Sequence, residues 1–433
     1  MNVLWIVSVT GLAAFVASSL SAQSTAPPAP RAQPPTPTLV IRNGTLIDGT
    51  GKPPVEGATI VISGDRITRV ATGEVTPPTG VRVIDAGGLA VLPGLMDMHI
   101  HHRPWMWRLF LQFGVTTIRD VGSDPDLILR ERERERRGEL AAPRIFACGP
   151  LLDGDPPVWP AAWRGSWPLR SEEQARAAAQ RLLDRGVDCL KVYSRLPSPL
   201  MRAIVELASV RGVPVTGHLG TVSARDAAEM GVDAIEHASG IAFPMPSEVQ
   251  EQLIRVLVER GTFVVPTLLV DENFANLPSI GNAGYPNLSL VPGDEVRRWL
   301  DWRNDFRLRG ATEETFARRR TRVAAKSAFI GAFRRAGGKV VAGSDTPNPF
   351  VVPGISLHQE LERLVASGLS PTDAIASATS VAAALLRRSD LGTVEEGKLA
   401  DLVLVAGNPA RDITTTRNVR VVIKAGAVVY ERR

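Results

Sequence analysis

Lysine is scarce in this chain. Lys and Arg together number 50 in 433 residues, yet only Lys52, Lys191, Lys326, Lys339, Lys398 and Lys424 are lysine. A lysine inside an apolar run is therefore unusual here. Cysteine is scarcer still: Cys148 and Cys189 are the two present. Two cysteines exclude a disulfide framework. Both lie in apolar, strand-like runs and read as buried free thiols. Aromatic residues make up 5% and do not interleave with a basic stripe, so a net charge of +5 does not indicate a nucleic-acid partner. Charged residues at 22% against 44% hydrophobic residues exclude a disordered chain. Length alone allows one large domain and a smaller one.

What is present begins with an apolar run from Val3 to Leu20, followed by small residues at Ser19, Ser21 and Ala22. It reads as an export signal over 1–22, and hence as a bacterial, periplasmic protein. No Lys or Arg precedes the run, and an uncleaved membrane anchor is the alternative. No stable membrane association is expected once the signal is removed. Residues 23–38 are rich in Pro and Ala and read as a stiff linker.

Short β-like runs follow, Thr38–Arg42, Ala58–Ser63, Arg66–Val70 and Val81–Asp85, punctuated by Gly and Pro. The C-terminus has the same texture at Leu402–Val405, Val419–Lys424 and Val428–Arg432. Residues 39–90 with 398–433 are thus expected to form a small β-sandwich domain from both ends of the chain. Between them, over 91–397, strand and helix patterns alternate. Eight apolar strand runs appear: Val91–Met98, Thr116–Val121, Arg144–Cys148, Cys189–Tyr193, Pro214–Leu219, Ala234–Ala238, Phe263–Leu268 and Val340–Ser344. That count predicts an α/β fold, a (β/α)8 TIM-type barrel. Residues 270–320 form a long insertion after the seventh strand, placed to wall or cover the mouth.

A barrel requires its chemistry at the C-terminal ends of the strands. His99 and His101 end the first; at i and i+2 on a strand they share one face. Lys191 lies on the fourth, His218 ends the fifth, His237 the sixth and Asp345 the eighth. Of six histidines in the chain, four fall at these ends. Four imidazoles and a carboxylate can hold two divalent metals. An ammonium is no ligand, but burial and nearby cations depress the Lys191 pKa toward the neutral amine. That amine can take up carbon dioxide as a carbamate, an anion with two oxygens that can bridge both ions. Zinc suits the His-rich set; manganese and cobalt can occupy similar sites.

The chain resembles the amidohydrolase superfamily from about Leu39 to its end. The resemblance is carried by Pro93-Gly94-Leu95-Met96-Asp97-Met98-His99-Ile100-His101, Lys191, Gly217-His218, Glu236-His237, Gly343-Ser344-Asp345 and Gly397-Lys398-Leu399-Ala400-Asp401-Leu402-Val403-Leu404. Thr116-Thr117-Ile118-Arg119-Asp120-Val121-Gly122 and Pro371-Thr372-Asp373-Ala374-Ile375 are similar to its imidazolonepropionase-related group, which includes metal-dependent dipeptidases and ochratoxin-hydrolysing enzymes. The resemblance implies that His99, His101 and Asp345 hold the buried metal. It implies that His218 and His237 hold the second, and that carbamylated Lys191 bridges them. Asp345 is then also the general base, and Tyr193, two residues past Lys191, polarises the scissile carbonyl; a packed rim aromatic is the alternative for Tyr193. The implied activity is cleavage of an amide or peptide-like carbon–nitrogen bond in a small-molecule substrate by a metal-bridging hydroxide.

One loop departs from the family's pattern. Many dipeptidase-like members carry a Gly-Gly-His-Gly type loop after the third strand, but Gly149 to Pro160 contains no His. Trp159, Trp163 and Trp167 suggest an aromatic wall in its place. His102 and Arg103 are expected to face the mouth, with His102 turned away from the metals. A lactonase or phosphotriesterase at the same centre is an alternative, and a non-catalytic periplasmic metal-binding protein is another; an intact proton shuttle argues against the latter. Homo-oligomerisation is left open.

Overall fold

The computed structural model describes Met1 and residues 36–432, apart from 74, 161, 282 and 283. The export signal and all but the last residues of the Pro-rich linker lie outside the described residues. Among the described residues no helix is long and apolar enough to cross a membrane.

Five strands open the chain: β1 (Leu39–Leu46), β2 (Val55–Ser63), β3 (Arg66–Thr72), β4 (Arg82–Asp85) and β5 (Leu89–Pro93). The barrel strands follow: β6 (Leu95–Ile100), β7 (Val115–Asp120), β8 (Arg144–Ala147), β9 (Leu151–Gly154), β10 (Ser166–Leu169), β11 (Leu190–Val192), β12 (Val215–Gly217), β13 (Ala234–Glu236), β14 (Phe263–Val265) and β15 (Lys339–Val340). Three more close the chain: β16 (Leu402–Ala406), β17 (Val419–Lys424) and β18 (Ala427–Glu431).

The terminal strands build one hydrogen-bonded sheet in the order β18-β17-β16-β5-β1-β2-β3, with β4 also on β1. β5 and β16 pair antiparallel from Pro93 opposite Leu402 to Leu89 opposite Ala406, so the two ends of the chain meet mid-sheet. Ile41, Ile60, Ile62, Ile67, Leu402 and Leu404 fill the core beside it.

The barrel strands are parallel. β6-β7-β8 form one arc and β10-β9-β11-β12-β13-β14-β15 the other. Two seams join the arcs. At one, Met98 N donates to Ala342 O (3.1 Å) and Asp345 N to His99 O (2.8 Å). At the other, Asp188 N donates to Ala147 O (2.8 Å). There Cys148 and Cys189 are joined by a disulfide, with Cα atoms 4.3 Å apart. The expected free thiols are therefore corrected. The two cysteines are 41 residues apart in sequence but flank neighbouring barrel strands.

Two further expectations change. The run Val91–Met98 is not one strand: Gly94 divides it, leaving Val91 to Pro93 in the terminal sheet and starting the barrel at Leu95. A Cβ at Gly94 would lie 2.1 Å from Thr116 Oγ1, so only glycine passes this crossing. The third barrel position is also broken. β8 pairs with β7, and after Gly149-Pro150 β9 pairs with β11, so part of the supposed loop is strand.

The outer helices follow ordinary rules. In Glu172–Asp184, Ser171 caps the N-terminus by accepting from Gln174 N. Ala175, Ala179, Leu182 and Leu183 recur at helical spacing and are buried. Burial of each leucine contributes about 1.5–3 kcal/mol. The insertion is mostly helical: Leu268–Ile280, Gly293–Leu300 and the first turns of Glu313–Arg335. Trp299, Trp302, Leu308 and Phe316 pack it into a satellite core with Phe350 and Val352.

Candidate metal centre

His99, His101, Lys191, His218, His237, Asp345 and Tyr193 all line one cavity of about 1070 Å³ at the barrel mouth. Ligand atoms of His99, His101 and Asp345 lie within 4.8 Å of one another. Asp345 Oδ1 is 3.5 Å from His99 Nε2 and 3.3 Å from His101 Nε2, and its Oδ2 is 3.8 Å from His237 Nδ1. The His99 and His237 rings are 4.5 Å apart, those of His237 and His218 4.6 Å, and those of His218 and Tyr193 4.8 Å. The imidazoles thus form a continuous arc from β6 to β12.

Backbone geometry aims this arc. His237 and Asp345 adopt left-handed conformations, with φ of 58° and 61°, and so does Thr267 at 48°. Non-glycine residues resist that region, so these three store strain at the mouth. Thr267 also pairs its Oγ1 with His237 Nδ1 at 2.7 Å.

A polar layer under the arc was not foreseen. His99 Nδ1 donates to Glu236 Oε2 at 2.6 Å. Glu236 Oε1 accepts from Arg119 Nη2 at 2.5 Å and from Thr216 Oγ1. Arg119 Nε donates to Met98 O at 2.7 Å. Burial alone would raise the Glu236 pKa, but Arg119 and Lys191 outweigh it and hold the carboxyl below its ordinary value. The proton of His99 is thereby fixed on Nδ1, and the Nε2 lone pair faces the mouth. Asp97, also fully buried, accepts from Ser344 N (2.9 Å) and Ser344 Oγ (2.6 Å), tying β6 to the Asp345 turn. The signal available in sequence was a charge at an interior-facing position of an apolar strand, as at Arg119 and Glu236.

The electrostatics favour neutral nitrogen. Burial pushes His99 and His237 well below the ordinary imidazole value, with Lys191 and neighbouring histidines adding to the effect. Burial, followed by Lys191, lowers His218 to about 3. Burial lowers Lys191 itself to about 8, with Glu236 opposing. Lys191 is 1% exposed. Its Nζ, His99 Nε2 and Asp345 Oδ1 are buried polar atoms without a hydrogen-bond partner. Such orphans are costly in a folded interior. A cation beside the His99 and Asp345 acceptors removes their cost, so these residues fit a divalent metal.

The loop after β9 supplies Trp159 in place of a histidine. Trp159 Nε1 donates to Tyr193 Oη at 3.0 Å. Its ring meets Trp163 at 5.8 Å and Phe306 of the insertion at 5.2 Å. Trp167 is not part of this wall; it lines a separate surface pocket under Arg181. His102 does not face the mouth either. It is 3% exposed, stacked on Trp107 at 4.9 Å, while Arg103 does line the cavity.

Residues 90–429 match the sequence model of the amidohydrolase family. An imidazolonepropionase from Anaeromyxobacter dehalogenans is 26% identical over 92% of this chain and 97% of its own length. A solved Xaa-Pro dipeptidase with methionine bound in its active site superposes with a TM-score of 0.72 at 25% identity, covering 91% of this chain and all of that one. A Bifidobacterium longum protein assigned as a prolidase gives 0.73 at 27% identity, over 91% and 94% of the two chains. Local matches are narrower: the chain spans 12% of an N-acyl-D-aspartate deacylase from Alcaligenes xylosoxydans xylosoxydans.

Proposed function

The chain belongs to the amidohydrolase family, a hydrolase acting on carbon–nitrogen bonds, and from this we propose an exported binuclear enzyme that cleaves the amide of a small peptide-like substrate. The observation that carries the reading is the convergence of Lys191 Nζ, His99 Nε2 and Asp345 Oδ1, all buried and without partners, at the C-terminal mouth. The dipeptidase and prolidase neighbours support a peptide-like amide.

In this reading His99, His101 and Asp345 would hold one ion, His218 and His237 a second, and Lys191, once carbamylated, would supply an anionic ligand to them. Zinc suits the set of neutral imidazoles. A metal bound there supplies Lewis acidity, acidifying water and polarising the carbonyl. The protein's own groups do the rest. The neutral Lys191 amine forms its N–C bond to carbon dioxide and releases one proton. Asp345 accepts the proton of the attacking water at its carboxylate and delivers it to the leaving nitrogen. Tyr193 donates its hydroxyl hydrogen to the carbonyl oxygen; burial raises its pKa to about 12, with the Trp159 hydrogen bond opposing, so it stays a donor. Trp159, Trp163 and Phe306 give this side of the site an aromatic surface.

Export is supported by the disulfide between Cys148 and Cys189, which an oxidising compartment maintains. The test is turnover by metal-replete protein on dipeptides, N-acyl amino acids, lactones and phosphotriesters. Amide cleavage abolished by chelation is expected. Turnover confined to lactones or phosphotriesters would overturn the amide assignment, and no turnover of any class would favour a metal-binding protein.

A further inference from the structure

We propose that helix Glu313–Arg335, which leaves the insertion, carries an anion site, formed by Arg319 and Arg322, that binds a carboxylate on the substrate's far end. This names a substrate class for the hydrolase reading and rests on it for the word substrate; the anion site itself is read from charge and geometry.

Helix Glu313–Arg335 begins with two glutamates and carries Arg318, Arg319, Arg320 and Arg322. Two of these arginines are neutralised within the helix. Arg318 Nη1 pairs with Glu314 at 2.5 Å, and Arg320 pairs with Glu313. Among the described residues Arg319 and Arg322 have no carboxylate within 4.0 Å, and both line the cavity. Three residues apart, they share one face of the helix.

That face is already positive. Arg307 sits 4.7 Å from the Phe274 ring centre and Arg319 5.9 Å from it, so two guanidinium groups share one aromatic surface. Arg307 is fully engaged. It forks onto Asp305, with Nε to Oδ1 at 2.9 Å and Nη2 to Oδ2 at 2.5 Å, and donates Nη1 to Asn348 Oδ1 at 2.8 Å. Asp271 is the other nearby acid, and Lys326 Nζ holds it at 2.7 Å. Burial pulls Arg319 below the ordinary guanidinium value; Asp271 opposes this, while Arg307 and Arg322 add to it. Two guanidinium groups with unused donors thus face the cavity, and the acids beside them, Asp305 and Asp271, are already held by Arg307 and Lys326. Planar donors of this kind match a carboxylate.

The rest of the cavity says what the anion is attached to. Trp159, Trp163 and Phe306 form an aromatic surface on the same wall as Arg307, whose guanidinium lies 5.6 Å from the Trp159 ring centre. The class that fits is an amide with an aromatic or bulky apolar part and a carboxylate, namely an N-acyl amino acid or a peptide with a free C-terminus.

The test uses an uncleavable pair on the metal-loaded enzyme: 4-(2-naphthyl)-4-oxobutanoate and its primary amide, 4-(2-naphthyl)-4-oxobutanamide. Calorimetry is expected to give the acid at least about tenfold tighter binding than the amide, with a preference that shrinks as salt is added. The Arg319→Gln/Arg322→Gln double variant is expected to bind the two alike. Arg319→Lys, which keeps the charge, retains part of the preference, and Arg320→Gln retains all of it. Equal binding of acid and amide by the parent enzyme, no measurable binding of the acid, or a preference that survives the double variant overturns the proposal. Hydrolysis of the parent amide, N-(2-naphthoyl)glycine, is scored separately. Acid preference without turnover of this amide or of any class in the substrate panel leaves the anion site standing and sinks the hydrolase reading. Turnover of acid and carboxamide at equal kcat/KM does the reverse.

Discussion

Asp345 faces three imidazoles across 3.3 to 3.8 Å, and its backbone is held left-handed with φ of 61°. A carboxylate so placed can both ligate and move a proton. Asp345→Asn keeps the shape and removes the base, so kcat is expected to fall by about 10²–10⁴. Metal content by elemental analysis should be unchanged; turnover near that of the parent would rule Asp345 out as the shuttle. Trp159 acts one step further away. Because its indole donates to Tyr193 Oη, the phenolic hydrogen is left to point elsewhere. Trp159→Phe keeps the aromatic surface and loses the donor. We expect kcat to drop several-fold with KM little changed; Tyr193→Phe lowers it further, and adding Trp159→Phe to Tyr193→Phe gives no additional drop. Additive losses in that double variant would show that the two residues act independently.

At the scale of elements, the disulfide fastens β8 to the start of β11, and Lys191 lies two residues beyond Cys189. Closing a loop of 41 residues stabilises the fold by about 3–4 kcal/mol in the chain-entropy account. Reduction, or Cys148→Ser with Cys189→Ser, should lower the urea midpoint accordingly; an unchanged midpoint would contradict this. The cysteine pairing was hidden in the sequence because it depends on which strands become neighbours, and that follows only from barrel closure. The strand ends were legible for the opposite reason. Five of the eight apolar runs hold or lead into a polar candidate at the C-terminal end, and the fold fixes which end is chemical. His99, His101, Lys191, His218, His237 and Asp345 could therefore be grouped before any coordinates. Glu236 and Arg119 could not be assigned roles, since they satisfy one another across strands β13 and β7. The helix Glu313–Arg335 starts inside the insertion, where its arginine-rich run shows no apolar period; the Thr312–Thr315 capping box marks its start. Gly343 shows the same dependence on neighbours: a Cβ there would sit 2.8 Å from His99 Cβ.

For the whole molecule, buried neutral histidines link stability to pH. His358 is fully buried outside the site, its Nε2 2.9 Å from Phe113 O, and burial lowers its pKa to about 4. The unfolded chain titrates near 6.5, so the folded state binds fewer protons between those values. Stability is then present above pH 6.5 and lost as pH falls toward 4, by about 3 kcal/mol for this residue. His358→Phe should be less stable at pH 7, through the lost hydrogen bond. Its stability should also fall less steeply on acidification, by about one proton in denaturant titrations of the metal-free protein. A slope equal to the parent's would refute the assignment.

The pairing of β5 with β16 has a temporal consequence. The strand from Leu89 to Pro93, which leads through Gly94 into the strand of His99, is flanked on one side by a strand made more than 300 residues later. The sheet beneath the first two histidines cannot be completed on a growing chain. Synthesis must finish before Leu89–Pro93 is clamped, and a chain cut short at residue 401 leaves its edge open however intact the barrel sequence. Assembly of the metal-binding corner is in this sense a full-length checkpoint.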